Sequence, residues 1–499
     1  MMALTARDKS EYSVKLVIRL MLVFLTAILA LKISGFAIYV VGTMLLLTFA
    51  QKRIEYSLYM LIMLAALSIV NGGLVPKGFN FNLITRGSFF ALAIMMSVKA
   101  GFQKSAWLMS PFWFLFVYIF YMMVTSLGGW WPLVSELKAV LFLVFLTALT
   151  QTVSAVTQEG VDIRKIRAAM LVVAIFYVLG SVAVIPFPSI GNSMTISFMS
   201  GYGQDAYATD MSGLFNGVTW HSQELGTIMA ILNAYLLSDY LCNFQRKNRL
   251  YQLLLACIPI LIYKSSSRTA LFTYFLSIGV TVFFFHREKH VTQGKKSRVM
   301  TNMFLLGLIA AFVIVLTPGV GNRFEAFLRK SKDVESIDKS RSITEDVTFS
   351  RMGLIEKGLV NFRKSPVIGN GFQVSEEMQE LSKEKTGLIL TAPIEKGVLP
   401  VMVLEEGGVV GAIIFLAFLI AVYVRCSNLR LTCFLSTFTV FIILNFGEAS
   451  FFSSTGGGGL MWTICFIAIL MDMDRYRLTK NPVARIQKYS AYGAGSYCR

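Results

Sequence analysis

Histidine, arginine and carboxylate side chains at the edges of apolar runs are the groups in this chain that could do chemistry. His221 and Gln223 lie in GLFNGVTWHSQELG, and Arg268 lies in YKSSSRTALF. Glu448 lies in LNFGEASFF. An imidazole or a carboxylate can take a proton from a hydroxyl group, and a guanidinium binds an anion through paired hydrogen bonds. These residue types predict a site that binds an anion and moves a proton.

The turn before Arg268 suits a phosphate group. Ser265, Ser266 and Ser267 offer hydroxyl and backbone N–H groups where a helix begins, and the helix dipole and the guanidinium both favour an anion there. The alternative is that Arg268 only reaches the polar edge of a membrane. His221 has the same alternative, because a histidine beside a tryptophan is common at that boundary.

The elements that must position these residues are transmembrane helices. The 499 residues are 55% hydrophobic and only 15% charged, which is too apolar for a soluble protein of this length. We therefore expect an all-α polytopic membrane protein with about 12–14 transmembrane helices. Candidate spans begin near Val14, Phe36, Ile54, Leu83, Ala106, Leu137, Ile166, Gln223, Leu250, Thr269, Val299, Val398, Leu431 and Gly459.

The net charge of +18 follows the membrane topology and does not predict nucleic-acid binding. Clusters of Lys and Arg follow the even-numbered spans, whereas the opposite hydrophilic segments contain few of them. This is the positive-inside pattern, and it predicts that both termini are cytoplasmic. None of the six cysteines lies in the large polar segment, so no disulfide is expected to support it.

The predicted organisation has four parts. Residues 1–318 hold helices 1–11, residues 319–396 form a large outer loop with short amphipathic helices, residues 397–474 hold helices 12–14, and residues 475–499 form a basic cytoplasmic tail. Within the loop, Ser350 can cap a helix from Arg351 to about Phe362, and SPVIGNGF predicts a sharp turn. A second helix should follow Ser375. The apolar face expected to pack on the bundle contains Met352, Ile355, Leu359 and Phe362.

Buried carboxylates are expected after this loop. Glu395 lies at a membrane boundary, and Glu405 and Glu406 lie deeper in an apolar helix. Two adjacent carboxylates there are costly, so they should face a polar cavity or a cationic partner. The outer segments lack acidic clusters with metal-ligand spacing, which favours chemistry without a metal.

Four stretches in order resemble the superfamily of O-antigen ligases and Wzy-type polymerases. They are GLFNGVTWHSQELG, SSSRTALF, RMGLIEKGLVNFRKSPVIGNGF and EKGVLPVMVLEEGGVVG, and they span Gly213 to Gly411. The resemblance implies a membrane glycosyltransferase that uses an undecaprenyl-diphosphate-linked glycan, with no metal or other cofactor. Arg268 and Arg351 match positions where the family places arginines that bind diphosphate or glycan. No histidine occurs between Gly319 and Gly411, which departs from the ligase pattern and favours a polymerase.

The predicted site combines both arguments. Glu395, Glu448 and His221, in that order, are candidates for the base, and Arg268 and Arg351 for stabilising the diphosphate. The expected partners are the lipid-linked glycan, membrane lipid and a chain-length regulator, with no nucleic acid. A ligase and a transporter or flippase remain the alternatives. The substrate-binding candidates are Arg323, Arg341, Lys396, Ser266, Ser267, Gln223 and Glu448.

Overall fold

The protein is a bundle of α-helices with one small β-hairpin. The structure, a computed structural model, describes residues 14–32, 37–50, 55–71, 74, 87–89, 91–92, 94–95, 110–159, 163–191, 198–200, 207–209, 214–242, 248–287, 343–375 and 398–480. The first helices are α1 (Val14–Lys32), α2 (Ala37–Ala50), α3 (Glu55–Leu67), α4 (Trp113–Ser126), α5 (Pro132–Glu159), α6 (Ile163–Ala183) and α7 (Pro188–Gly191). The later helices are α8 (Ser222–Cys242), α9 (Arg249–Lys264), α10 (Arg268–His286), α11 (Ile343–Lys364), α12 (Leu399–Asn428), α13 (Thr432–Leu444) and α14 (Gly456–Lys480). Between the two sets, β1 (Phe198–Ser200) and β2 (Tyr207–Thr209) pair antiparallel.

Helix length and composition are those of an all-α polytopic membrane protein. Among the described helices, seven are long and apolar enough to cross a membrane: α1, α5, α6, α8, α10, α12 and α14. Helices α3, α4 and α13 are apolar but shorter. Most predicted spans correspond to a described helix, although α5 begins at Pro132, earlier than predicted, because proline suits the first turn of a helix. The spans predicted near Leu83 and Val299 lie largely or wholly outside the described residues.

Helix α8 and residues 456–473 of α14 form the centre of the bundle and are almost entirely buried. Helix α8 packs against α9, α10, α13 and α14. Gly226 lets α8 approach α10 closely, because an added Cβ would meet the side chains of Ser267 and Ala270. Deeper in the same interface, Asn233 Nδ2 donates a hydrogen bond of 2.7 Å to Ser277 Oγ. Small residues and buried hydrogen bonds are the usual means of helix packing in membranes.

One end of the bundle, here called the basic end, is where α6 begins and α8 ends. Arg167 and Asp239 form a buried ion pair there, with distances of 3.1 Å from Nε to Oδ2 and 3.2 Å from Nη2 to Oδ1. Tyr251 donates a third hydrogen bond to Asp239, at 2.5 Å. Lys165 pairs with Glu55 at 2.8 Å. These contacts join α3, α6, α8 and α9 at this end.

At the opposite end, here called the cavity end, α8, α10 and α14 begin. Turns from distant parts of the chain are hydrogen-bonded to each other there. Trp220 N donates to Ile69 O at 2.9 Å, Gly456 N donates to Ser68 Oγ at 3.1 Å, and Leu399 N donates to Asn445 O at 2.9 Å. The cavity end is therefore an ordered set of turns.

Helix α12 is broken at Gly408, whose φ of 61° and ψ of −165° lie outside the helical region. Residues 365–375, here called the inserted loop, fill the break. Val409 N donates to Pro366 O at 2.8 Å and Val410 N to Val367 O at 3.2 Å. In the other direction, the carbonyl groups of residues 405 and 406 accept hydrogen bonds of 3.0 Å and 3.2 Å from the N–H groups of residues 370 and 371. The inserted loop thus caps both halves of α12.

Two predictions about the polar segment are wrong. Ser350 lies inside α11 and does not cap it, because that helix begins at Ile343. The predicted packing of the apolar face is wrong for Met352 and Leu359, whose side chains are 45% and 38% exposed, whereas Ile355 and Phe362 are partly buried. A smaller and more polar face contacts α12. An added Cβ at Gly358 would meet Val401 of α12, and Asn361 Nδ2 donates a 3.0 Å hydrogen bond to Glu405 Oε1.

Candidate functional site

A polar cavity of about 260 Å³ lies at the cavity end between α8 and α14. The first turns of α8 form one wall. The loop after α13 and the glycine-rich start of α14 form the other. Its lining residues are His221, Gln223, Glu224, Thr227, Glu448, Ser450, Ser453, Thr455, Gly456, Gly457, Gly458 and Met461.

Three residues predicted from separate stretches of the sequence share this cavity. His221 and Gln223 come from the start of α8, and Glu448 comes from the turn after α13, where its N–H donates to Leu444 O at 3.0 Å. The cavity therefore holds an imidazole, an amide and a carboxylate within one polar lining.

The hydrogen bonds of His221 assign its tautomer. Its Nδ1 accepts the backbone N–H of Glu224 at 3.2 Å, so His221 caps the start of α8. A nitrogen that accepts a hydrogen bond carries no proton, and a neutral imidazole then carries its proton on Nε2. Nε2 lies 3.9 Å from Glu224 Oε1. In this arrangement Nε2 carries the proton that His221 could donate, whereas Nδ1 is used in the helix cap.

Glu224 is a cavity residue that was not among the predicted site residues. Its side chain is 19% exposed, and within the described part of the chain its buried Oε2 accepts no hydrogen bond. The sequence feature that could have indicated Glu224 is its position in the first turn of α8, three residues after His221 on the same helix face. Ser222 and Gln223 are also polar and lie beside it in the sequence, and only the packing of α14 against α8 distinguishes Glu224 from them.

The glycines at the start of α14 make room for the Glu224 carboxylate. Gly456 has a positive φ of 66°, and a Cβ added there would lie 3.5 Å from Glu224 Oε1. A Cβ on Gly457 would lie 3.6 Å from Glu224 Cγ. Gly458 packs directly against the carbonyl oxygen of Ser450 in the facing loop. Larger side chains at these positions would fill or deform the cavity wall.

Arg268 begins α10, as predicted, and Ser267 caps that helix by accepting the Ala270 N–H at 3.4 Å. Ser265 and Ser267 are buried in the turn, and Ser266 has a positive φ of 54°. The next residue of α10, Thr269, packs against Gly447. Arg268 and the serine turn are therefore next to the loop that carries Glu448.

Arg268, Ser266 and Ser267 do not line the described cavity, and neither do the remaining predicted residues. Arg351 lies in α11, but its side chain is outside the described residues, and no described residue of α11 lines the cavity. The positions of Glu395 and Lys396 lie outside the described residues. So do those of Arg323 and Arg341.

Together, the fold and the cavity are those of a polytopic membrane protein with a polar site at one end of its helical bundle. No family model matches the chain, and no curated protein matches it either. Within the described ranges there is no group of three or more His, Cys, Asp or Glu residues that could hold a metal ion.

Proposed function

We propose that this protein is a membrane glycosyltransferase that polymerises oligosaccharide repeat units linked to undecaprenyl diphosphate. The observation that carries the proposal is the shared cavity of His221, Gln223 and Glu448, beside the start of the helix that Arg268 begins. Two of the four stretches that resemble the polymerase superfamily thus meet at one end of the bundle. We further propose that this end faces outward from a bacterial cytoplasmic membrane and that the basic end, with both termini, faces the cytoplasm.

The chemistry fits this set of groups. A lipid diphosphate is a stable leaving group, so the site needs cations near the diphosphate and a base near the acceptor hydroxyl. Arg268 supplies a guanidinium, and the cavity supplies the carboxylates and hydroxyl-binding groups that a sugar requires. Arg351 is proposed as a second diphosphate ligand. The product is a surface polysaccharide such as O-antigen, capsule or exopolysaccharide.

Elongation by the purified protein tests the proposal. The assay supplies lipid-linked repeat units only, in detergent, and follows product length on a gel. A polymerase produces a ladder of products. Arg268→Ala should lower the rate by about 100-fold, the usual loss when one group that stabilises developing charge is removed.

A matched control is present at the other end of the same helix. Arg287 follows α10 at the basic end, is exposed and lies 5.9 Å from the Phe283 ring centroid. Arg287→Ala removes the same charge from α10 without touching the cavity end, so it should elongate at the wild-type rate. An equal loss of elongation rate in both variants, or no loss in Arg268→Ala, would show that Arg268 does not act in the site.

A transporter or flippase is the second candidate, and one observation favours it. Broken helices with buried charges are typical of transporters, and α12 is broken at Gly408 beside the buried Glu405 and Glu406. A transporter would leave the covalent length of the substrate unchanged in the elongation assay. A ligase would transfer glycan only after a different acceptor is added.

A further inference from the structure

We propose that Glu224 is the base of this glycosyltransferase, taking the proton from the acceptor hydroxyl. This inference rests on the proposed function and names a residue for its acid–base step. It begins from the cavity, where Glu224 and Glu448 are the two carboxylates among the lining residues. His221 lines the same cavity, but its Nδ1 is already used as the cap of α8.

The position of Glu224 on rigid elements favours it over Glu448. It lies in the first turn of α8, and its carboxylate packs against Gly456 and Gly457 at the start of α14. A catalytic group on packed helices is held more accurately than one on a loop, and Glu448 follows α13 in a turn. The carboxylate also lies at the positive ends of two helix dipoles, which attract its negative charge.

The two carboxylate oxygens of Glu224 have different surroundings. Oε1 is near the His221 Nε2, at 3.9 Å, so a small movement brings the Nε2–H within hydrogen-bond distance. Oε2 is the oxygen that accepts no hydrogen bond from the described residues. Because Oε2 is buried, the proton is taken at Oε1, next to the His221 Nε2–H that can orient the carboxylate.

The proposed step balances without any further reactant. The acceptor oxygen attacks the anomeric carbon of the donor glycan, and a new glycosidic C–O bond forms as the bond to the diphosphate breaks. The electron pair of the broken bond leaves with the lipid diphosphate. The hydroxyl proton passes to Glu224 Oε1 and is released to water after the product moves.

Glu224→Gln tests the role of this carboxylate with almost no change in shape. General base catalysis contributes about 100-fold or more, so elongation should fall by about that factor. Binding of undecaprenyl diphosphate, measured as a thermal shift of the purified protein, should be retained. Glu55→Gln is the matched control, because it makes the same change at the basic end, where Glu55 pairs with Lys165. It should elongate normally.

Chemical rescue separates a base from a structural group. Glu224→Ala removes the carboxylate and leaves space beside Gly456 and Gly457, so added formate should raise its elongation rate at least tenfold, in keeping with the size of general base effects. A structural role would give no such response. Formate should leave the rate of Glu55→Gln unchanged.

The outcomes distinguish this inference from the function on which it rests. A wild-type protein that does not elongate lipid-linked repeat units overturns both. Wild-type elongation with Glu224→Gln at more than half that rate overturns only the role of Glu224. Loss of diphosphate binding in Glu224→Gln, or absence of formate rescue in Glu224→Ala, also overturns it.

Discussion

Replacing Gly408 by alanine should weaken the junction between α12 and the inserted loop. The backbone at Gly408 has a positive φ and an extended ψ, a region almost restricted to glycine, where another residue costs about 1–3 kcal/mol. A Cβ at this position would also collide with the carbonyl group of Val367, and relieving such a contact costs about 1–3 kcal/mol more. The free energy of unfolding should therefore fall by about 2–6 kcal/mol.

The protein can relieve this strain in one evident way. Alanine favours the helical region, so α12 can straighten and form its own backbone hydrogen bonds across the break. The inserted loop would then lose the four backbone hydrogen bonds that join it to α12. At about 1 kcal/mol each, their loss is comparable to the strain that straightening relieves.

Two measurements on purified protein in detergent test this. Unfolding followed by circular dichroism gives the stability change. Hydrogen exchange followed by mass spectrometry reports whether the N–H groups of Asn370 and Gly371, which lose their α12 acceptors, exchange faster. A loss of 2 kcal/mol in local stability corresponds to about a 30-fold rise in the exchange rate. Peptides from α8 should be unaffected if the change stays local.

Gly279→Ala is the control, because no atom of the described structure lies within 4 Å of the Cβ it would add. It lies inside α10, where replacing glycine by alanine usually stabilises a helix by about 0.5–1 kcal/mol. The reasoning is refuted if Gly408→Ala is as stable as the wild type to within about 0.5 kcal/mol, with unchanged exchange in the inserted loop.

Two further substitutions test the packing at each end of the bundle. Asp239→Asn leaves Arg167 buried without its ion pair, so the free energy of unfolding should fall by about 3–5 kcal/mol, measured by denaturant titration; a loss below about 1 kcal/mol would contradict this. Gly458→Ala places a Cβ against the carbonyl oxygen of Ser450 and should cost about 1–3 kcal/mol. Thermal unfolding of Gly458→Ala and of the control Gly279→Ala measures this loss of stability. Equal stability of the two variants would show that the cavity wall accommodates the added methyl group without cost.

Much of the helical architecture could be predicted from hydropathy and helix caps. The start of α10 at Arg268 with Ser267 as its cap is one example, and the turn in SPVIGNGF is another. These features depend on local sequence, because cap residues and glycines act within one helical turn. The sequence also singled out His221, Gln223 and Glu448, which the structure brings together in one cavity, because their types are unusual at the edges of apolar helices.

The rest depends on contacts between distant segments. The Gly407–Gly408 pair permits a break in the helix, but its own stretch does not show that one occurs, because the groups that satisfy the break come from residues 365–371. The sequence pattern did not predict which face of α11 packs on the bundle, for a similar reason. Hydrophobic periodicity selects the apolar face, but Gly358 and Asn361 complement α12 through small size and a hydrogen bond. Glu224 is distinguished from its polar neighbours only by the packing of α14 against α8.

The broken helix α12 has a consequence for how the chain enters a membrane. Alone, this segment carries two buried carboxylates at Glu405 and Glu406, together with backbone groups at its break that lipid cannot satisfy. The inserted loop and Asn361, which satisfy several of these groups, come before α12 in the chain. We therefore expect residues 358–375 to dock on α12 as that span enters the membrane. A truncation that removes them should leave α12 as a poorly inserting segment.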